Sequence, residues 1–86
     1  MTFEFEGARL LADYDEEADI LYLWTEPGAR PAVTFEDAHG HLIQLDPETR
    51  QFIGVMIVDY RLRWEGDQPI HIQIPGVEER VLEPVG

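Results

Sequence analysis

The chain has 86 residues, with 18 Asp plus Glu against 6 basic residues, all arginine, and a net charge of −12. It contains no cysteine, so no disulfide can supplement its core, and its surface repels phosphate backbones and anionic membranes. Electrostatics leave a basic protein or a cation as the favoured partner.

This length makes one β domain over residues 1–86 without a linker. Such a chain buries only about 60% of the surface its unfolded form exposes. Self-association is therefore expected to supply further stability. The absence of Asn and Cys fits a heat-tolerant source. The start, Met1 to Glu6, is acidic and lacks the basic and apolar regions of a signal peptide. No apolar run reaches membrane-spanning length, which makes cytoplasm the expected location.

Phe3 and Phe5 alternate with polar residues and predict a first strand, with Glu6-Gly7 as its turn. Residues 8–14 form the second strand. Asp15-Glu16-Glu17 connects it to a third over 18–24, in which Ile20, Tyr22 and Trp24 share one face and Leu21 and Leu23 the other. Glu26-Pro27-Gly28 ends that strand, and a short edge strand over 32–36 follows. Asp37-Ala38-His39-Gly40 turns the chain into a strand over 41–46. Asp46-Pro47 opens a strong turn, because Asp bonds backbone amides two residues on and Pro presets φ.

Residues 51–58 form a second strand that is apolar on both faces: Phe52, Gly54, Met56 and Val58 alternate with Ile53, Val55 and Ile57. Gly54 inside it signals a bulge or a ring lying against the backbone. The period of two continues through Tyr60, Leu62 and Trp64. This predicts a continued or restarted strand, with a helical turn capped by Asp59 as the runner-up. Glu65 to Gln68 turns the chain. Ile70, Ile72 and Ile74 then point inward from a strand over 69–74, Pro75-Gly76 turns again, and residues 79–83 form the last strand.

The sum is an all-β fold, with at most a short helical turn. Seven or eight short strands run as an antiparallel meander, closing into a sandwich or an open barrel. Two strands are apolar on both faces and no helix is available to cover the second face. A second sheet from the same chain or from a homodimer partner is expected there.

Tyr14-Asp15-Glu16-Glu17-Ala18-Asp19-Ile20-Leu21-Tyr22-Leu23, then Leu42 to Asp46, then Phe52 to Asp59 resemble the prokaryotic family known as domain of unknown function 2283. The likeness covers about residues 10–60. It departs from the family pattern where Met56 replaces a Glu, where Glu48-Thr49-Arg50 replaces an Asp-Gly turn, and after Tyr60. The resemblance implies a small β-rich fold, no assigned activity and an antitoxin role beside small toxin-like proteins.

Candidate chemistry is sparse. Asp13, Asp15, Glu17 and Asp19 have the spacing of calcium-loop ligands. Ala18 stands where the loop needs Gly, however, and Trp24 where it needs a bidentate Glu. These carboxylates are instead expected to cap turn amides and to discourage edge pairing. His39 and His41 share a side beside Asp37, but nothing in the spacing brings His71 to them, as a zinc site would require. Exposed or core-edge imidazoles are the expectation. Thr2, Thr25, Thr34 and Thr49 have no adjacent base, and neither Ser nor Cys is present for nucleophilic catalysis. No catalytic, cofactor or metal residue is assigned.

Tyr60, Arg61, Arg63 and Trp64 are the one basic and aromatic stretch. It reads either as a subunit or partner contact or as a strand with arginines paired to Glu65 or Glu79. The function expected is a non-enzymatic homodimeric module that contacts a basic partner in the manner of an antitoxin. The alternatives are a metal-binding protein or enzyme built on the acidic and histidine residues, or a structural module without ligand.

Overall fold

The computed structural model describes residues 2–25, 31–64, 68–74 and 79–85. The expected turns at Glu26-Pro27-Gly28 and Pro75-Gly76, and residue Glu65, lie outside them. The elements run β1 (Thr2–Phe5), β2 (Ala8–Asp15), β3 (Ile20–Trp24), β4 (Val33–Glu36), β5 (Leu42–Leu45), β6 (Phe52–Val58), α1 (Tyr60–Arg63), β7 (Ile70–Gln73) and β8 (Glu79–Val85). All eight strands join one antiparallel sheet in the order β4-β5-β6-β3-β2-β1-β8-β7. Sequential hairpins are thus linked by two distant pairings, β3 with β6 and β1 with β8.

The turns follow from local chemistry. Phe5 pairs with Ala8 across Glu6 and Gly7, whose φ values of 51° and 83° are those of a type I′ hairpin. Asp15 Oδ1 accepts the amides of Glu17 and Ala18 at 3.0 and 3.2 Å. Asp46 Oδ1 accepts those of Glu48 and Thr49 at 2.8 and 3.0 Å. Both are turns in which an Asp side chain replaces a backbone acceptor.

The sheet curls into a half-barrel, the open form of the two expected. Its Cα trace spans 34 × 25 × 25 Å, whereas the Cα atoms of a single flat sheet would lie close to one plane. Strand β2 carries the bend: its first half pairs with β1 and its second half with β3. The concave side holds the core, with Phe3, Leu23, Ile43, Leu45, Val55, Ile57, Ile70, Ile72 and Leu82 buried. Each such side chain contributes about 1.5–3 kcal/mol by leaving water. The inward alternation of Ile70, Ile72 and Ile74 is present as expected.

Two expectations change. Phe52 does not share a face with Met56 and Val58. The register shifts between Gln44 and Leu45, so that Phe52 lies opposite Leu45 while Gly54 lies opposite Gln44. The extra residue, Ile53, makes a bulge that re-aims Phe52 inward. There it stacks on Phe5 with centroids 4.3 Å apart. Gly54 is required beside this bulge, since a Cβ there would meet the Leu23 carbonyl oxygen at 2.6 Å.

The alternation of Tyr60, Leu62 and Trp64 does not make a strand. Tyr60 and Leu62 lie in the helical turn α1 and Trp64 is its extended C-cap, with Tyr60 and Trp64 against the core and Leu62 80% exposed. Asp59 occupies the N-cap position, in the left-handed region at φ 56°, and its carbonyl accepts the Arg63 amide at 3.0 Å, but its side chain makes no capping bond. Asp19 supplies the cap from the far end of the β2–β3 turn. Its Oδ1 accepts the Arg61 amide at 2.8 Å, its Oδ2 accepts the Leu62 amide at 3.3 Å, and its backbone carbonyl accepts the Tyr60 amide at 3.0 Å. No helix among the described residues is long and apolar enough to cross a membrane.

Candidate functional site

The convex side of the half-barrel carries an apolar surface built by cross-strand register. Leu11, Trp24, Gly54 and Gln44 lie in one row across β2, β3, β6 and β5. Asp13, Tyr22, Met56 and Leu42 form the next, and Asp15, Ile20 and Val58 the third. Leu11 is 38% exposed. Ile20, Tyr22, Trp24, Leu42, Met56 and Val58 are only half-buried, whereas their concave neighbours are fully enclosed. The one described helix leans on the concave side and leaves this face uncovered. Asp13, Asp15, Thr34 and Glu36 edge the patch, giving an apolar centre with a polar, acidic rim.

The acidic residues of the β2–β3 turn are occupied structurally. Asp15 holds turn amides and Asp19 holds α1. Asp19 Oδ1 also accepts the Tyr14 hydroxyl at 2.6 Å. This bond, together with the Arg61 amide, holds the Asp19 carboxyl below its usual range, and the same bond raises the Tyr14 phenol above its ordinary value.

The histidines depart from expectation twice. His71 does come close to His39, because both reach Glu79: His39 Nε2 lies 2.7 Å from Oε1 and His71 Nδ1 lies 3.3 Å from Oε2. The His39 bond, with a smaller part from His71, holds the Glu79 carboxyl below its usual range. His41 is neither exposed nor at the core edge. It is 0% exposed, packs on Trp64 with ring centroids 5.1 Å apart, and has no protein hydrogen-bond partner at either ring nitrogen. Burial keeps this ring neutral by lowering its pKa. Among the described residues no group of three or more acidic or histidine side chains is arranged to hold a metal ion.

Asp37 organises this corner, a role sequence reasoning missed although the Asp-x-x-Gly turn over 37–40 signals it. Its Oδ1 accepts the amides of His39 and His41 at 2.9 and 2.7 Å, and its Oδ2 accepts the Gln73 amide at 2.9 Å.

Among the described residues the arginines of α1 do not pair with Glu79, and Glu65 lies outside those residues. Glu79 goes to the histidines, Arg63 Nη2 donates to the His39 carbonyl, and Arg61 lies 3.9 Å from Glu16. Arg61 and Arg63 lie over the rings of Tyr14 and Trp64, 4.9 and 4.5 Å from the centroids. An open cleft of about 500 Å³ lies beside them, lined by Phe3, Tyr14, Leu21, Tyr60 and Trp64. A second, of about 430 Å³, sits over Phe5, Phe52 and Ile74 with Arg50 and Arg80 at its rim. Arg80 already pairs with Glu6 at 2.9 Å. No family model matches this chain, and no curated protein or solved structure matches it significantly.

Proposed function

We propose that this protein is a non-enzymatic homodimeric module that acts by protein contact, with the convex face of β2, β3, β5 and β6 as its self-contact. The observation that carries this is the run of Leu11, Trp24, Tyr22, Met56 and Leu42 across four strands, left uncovered by α1. Contiguous apolar patches rimmed by polar residues are characteristic of interaction surfaces. Tyr and Trp at its centre are the residue types that dominate contact energetics.

Glu16 and Glu17, exposed at the tip of the β2–β3 turn beyond the rim, form the surface for a basic partner. An antitoxin-like inhibitor of a small basic protein is the concrete form of this reading. The resemblance of residues 10–60 to domain of unknown function 2283 supports it, and so does the net charge of −12.

Salt separates the two contacts. Screening weakens an attraction between opposite charges and relieves repulsion between two acidic copies. The test is co-purification from the native host at about 0.05 M and 0.5 M salt. A basic protein retained at low salt and lost at high salt, while the self-association persists, supports the reading. Retention of no protein at either salt counts against the basic partner.

A further inference from the structure

Strands β4 and β7 are the two edges of the sheet, and the curl brings the β4–β5 turn against β7 without a backbone ladder between them. Side chains span the gap instead. Asp37 Oδ2 accepts the Gln73 amide, His39 bonds Glu79, and the His41 ring faces the His71 backbone without closing a hydrogen bond. His41 sits at the centre of this seam, fully enclosed against Trp64. The groups that face it are Asp37 and His39 on its own turn, Arg63 on α1 and His71 on β7, with Glu79 of β8 bonded to His39. Enclosure, the largest effect, opposes a charged ring together with Arg63 and His39; Asp37 and the His71 backbone favour it.

We propose that this seam is an acid-released latch, in which protonation of His41 frees the edge of β7 from the β4–β5 turn. An imidazolium presents two N–H donors, whereas in the closed protein neither ring nitrogen makes a hydrogen bond and the His71 backbone only faces the ring. The nearest anion, Asp37, already holds the Gln73 amide and two turn amides. If Asp37 swings to the charged ring, it releases Gln73. If the ring leaves for water, it releases Trp64 and the turn. Either movement opens the same contact. The consequence is an exposed strand edge at β7, which pairs readily with an extended segment of another chain.

The sign and size follow from proton uptake. The open ring binds a proton below about pH 6.5, the ordinary histidine value, and the closed ring does not until lower pH. Opening therefore takes up a proton as pH falls through that window, and the opening constant approaches a tenfold rise per pH unit only well below about pH 6.5, while the closed ring stays neutral.

The test is amide hydrogen exchange of the whole chain by NMR at pH 7.5, 6.5 and 5.5, corrected for intrinsic exchange, with the His41 ring followed in the same samples. Protection at Gln73 is expected to fall by up to about fivefold between pH 6.5 and 5.5, in step with His41, while Leu23 and Val55 in the β3–β6 ladder keep theirs. His41→Phe is expected to abolish the fall and His39→Gln to retain it. Constant protection at Gln73 in the wild-type protein overturns the proposal. So does an equal loss at Leu23 and Val55, which would mark global unfolding, or a fall that persists in folded His41→Phe. If His41→Phe does not fold, the wild-type titration decides: a ring that titrates without a change at Gln73 overturns the latch.

Discussion

Asp19 caps a helical turn 42 residues further along the chain: its Oδ1 accepts the Arg61 amide at 2.8 Å. The same oxygen accepts the Tyr14 hydroxyl, so one carboxylate joins β2, the β2–β3 turn and α1. Asp19→Ala is expected to release α1 while leaving the sheet intact. Exchange protection at Arg61 and Leu62 should vanish and that at Val55 should remain. Unchanged protection at Arg61 would show that the turn is held by its own packing.

The bulge beside Gly54 gives a stability prediction with a built-in control. Gly54→Ala drives a methyl into the Leu23 carbonyl and is expected to cost about 1–3 kcal/mol or more. Gly7→Ala meets nothing within 4 Å and carries only the cost of its φ of 83°, about 1–2 kcal/mol. Urea unfolding of both should rank Gly54→Ala as the more damaging. The reverse order would mean that β6 can shift away from β3.

The inward turn of Phe52 is testable by a double-mutant cycle. Phe5→Leu, Phe52→Leu and the double variant should show a coupling of about 0.5–1.5 kcal/mol from the stacked pair. A coupling near zero would put Phe52 back on the convex face with Met56.

Stability should fall in two steps as pH drops. His41 has a lowered pKa in the folded state, so the unfolded chain takes up a proton first and stability declines from about pH 6.5 downward. Asp19 and Glu79 are also held low. Their contributions are present above the ordinary values of 3.8 and 4.5 and are lost as pH falls from there through the lower folded values. Tyr14 runs the other way: its contribution is present below about pH 10 and disappears as pH rises through its raised value. Urea midpoints across pH 3–11 check this; a flat profile between pH 7 and 5 would contradict the role given to His41.

What the sequence disclosed was mostly local. Glu6-Gly7, Asp15 and Asp46 marked their turns through φ preference and side-chain acceptors, and the alternation in β3 and β6 located the central pair. The failures were non-local. Tyr60, Leu62 and Trp64 carry a period of two, but the side chain that caps the helical turn there is that of Asp19, distant in sequence. Phe52 obeys alternation until the bulge at Ile53 flips it. His71 meets His39 only because β8 joins β1 and swings β7 across the gap, and the same curl encloses His41.

The proposed dimer has the convex face around Tyr22 and Met56 covered by a second copy of the chain. Light scattering at tens of micromolar in about 0.15 M salt, where charges more than about 8 Å apart are largely screened, measures this directly. The account predicts twice the chain mass of 9.9 kDa for the wild-type protein and a folded species of single chain mass for Tyr22→Glu. A wild-type mass of one chain under those conditions would contradict it.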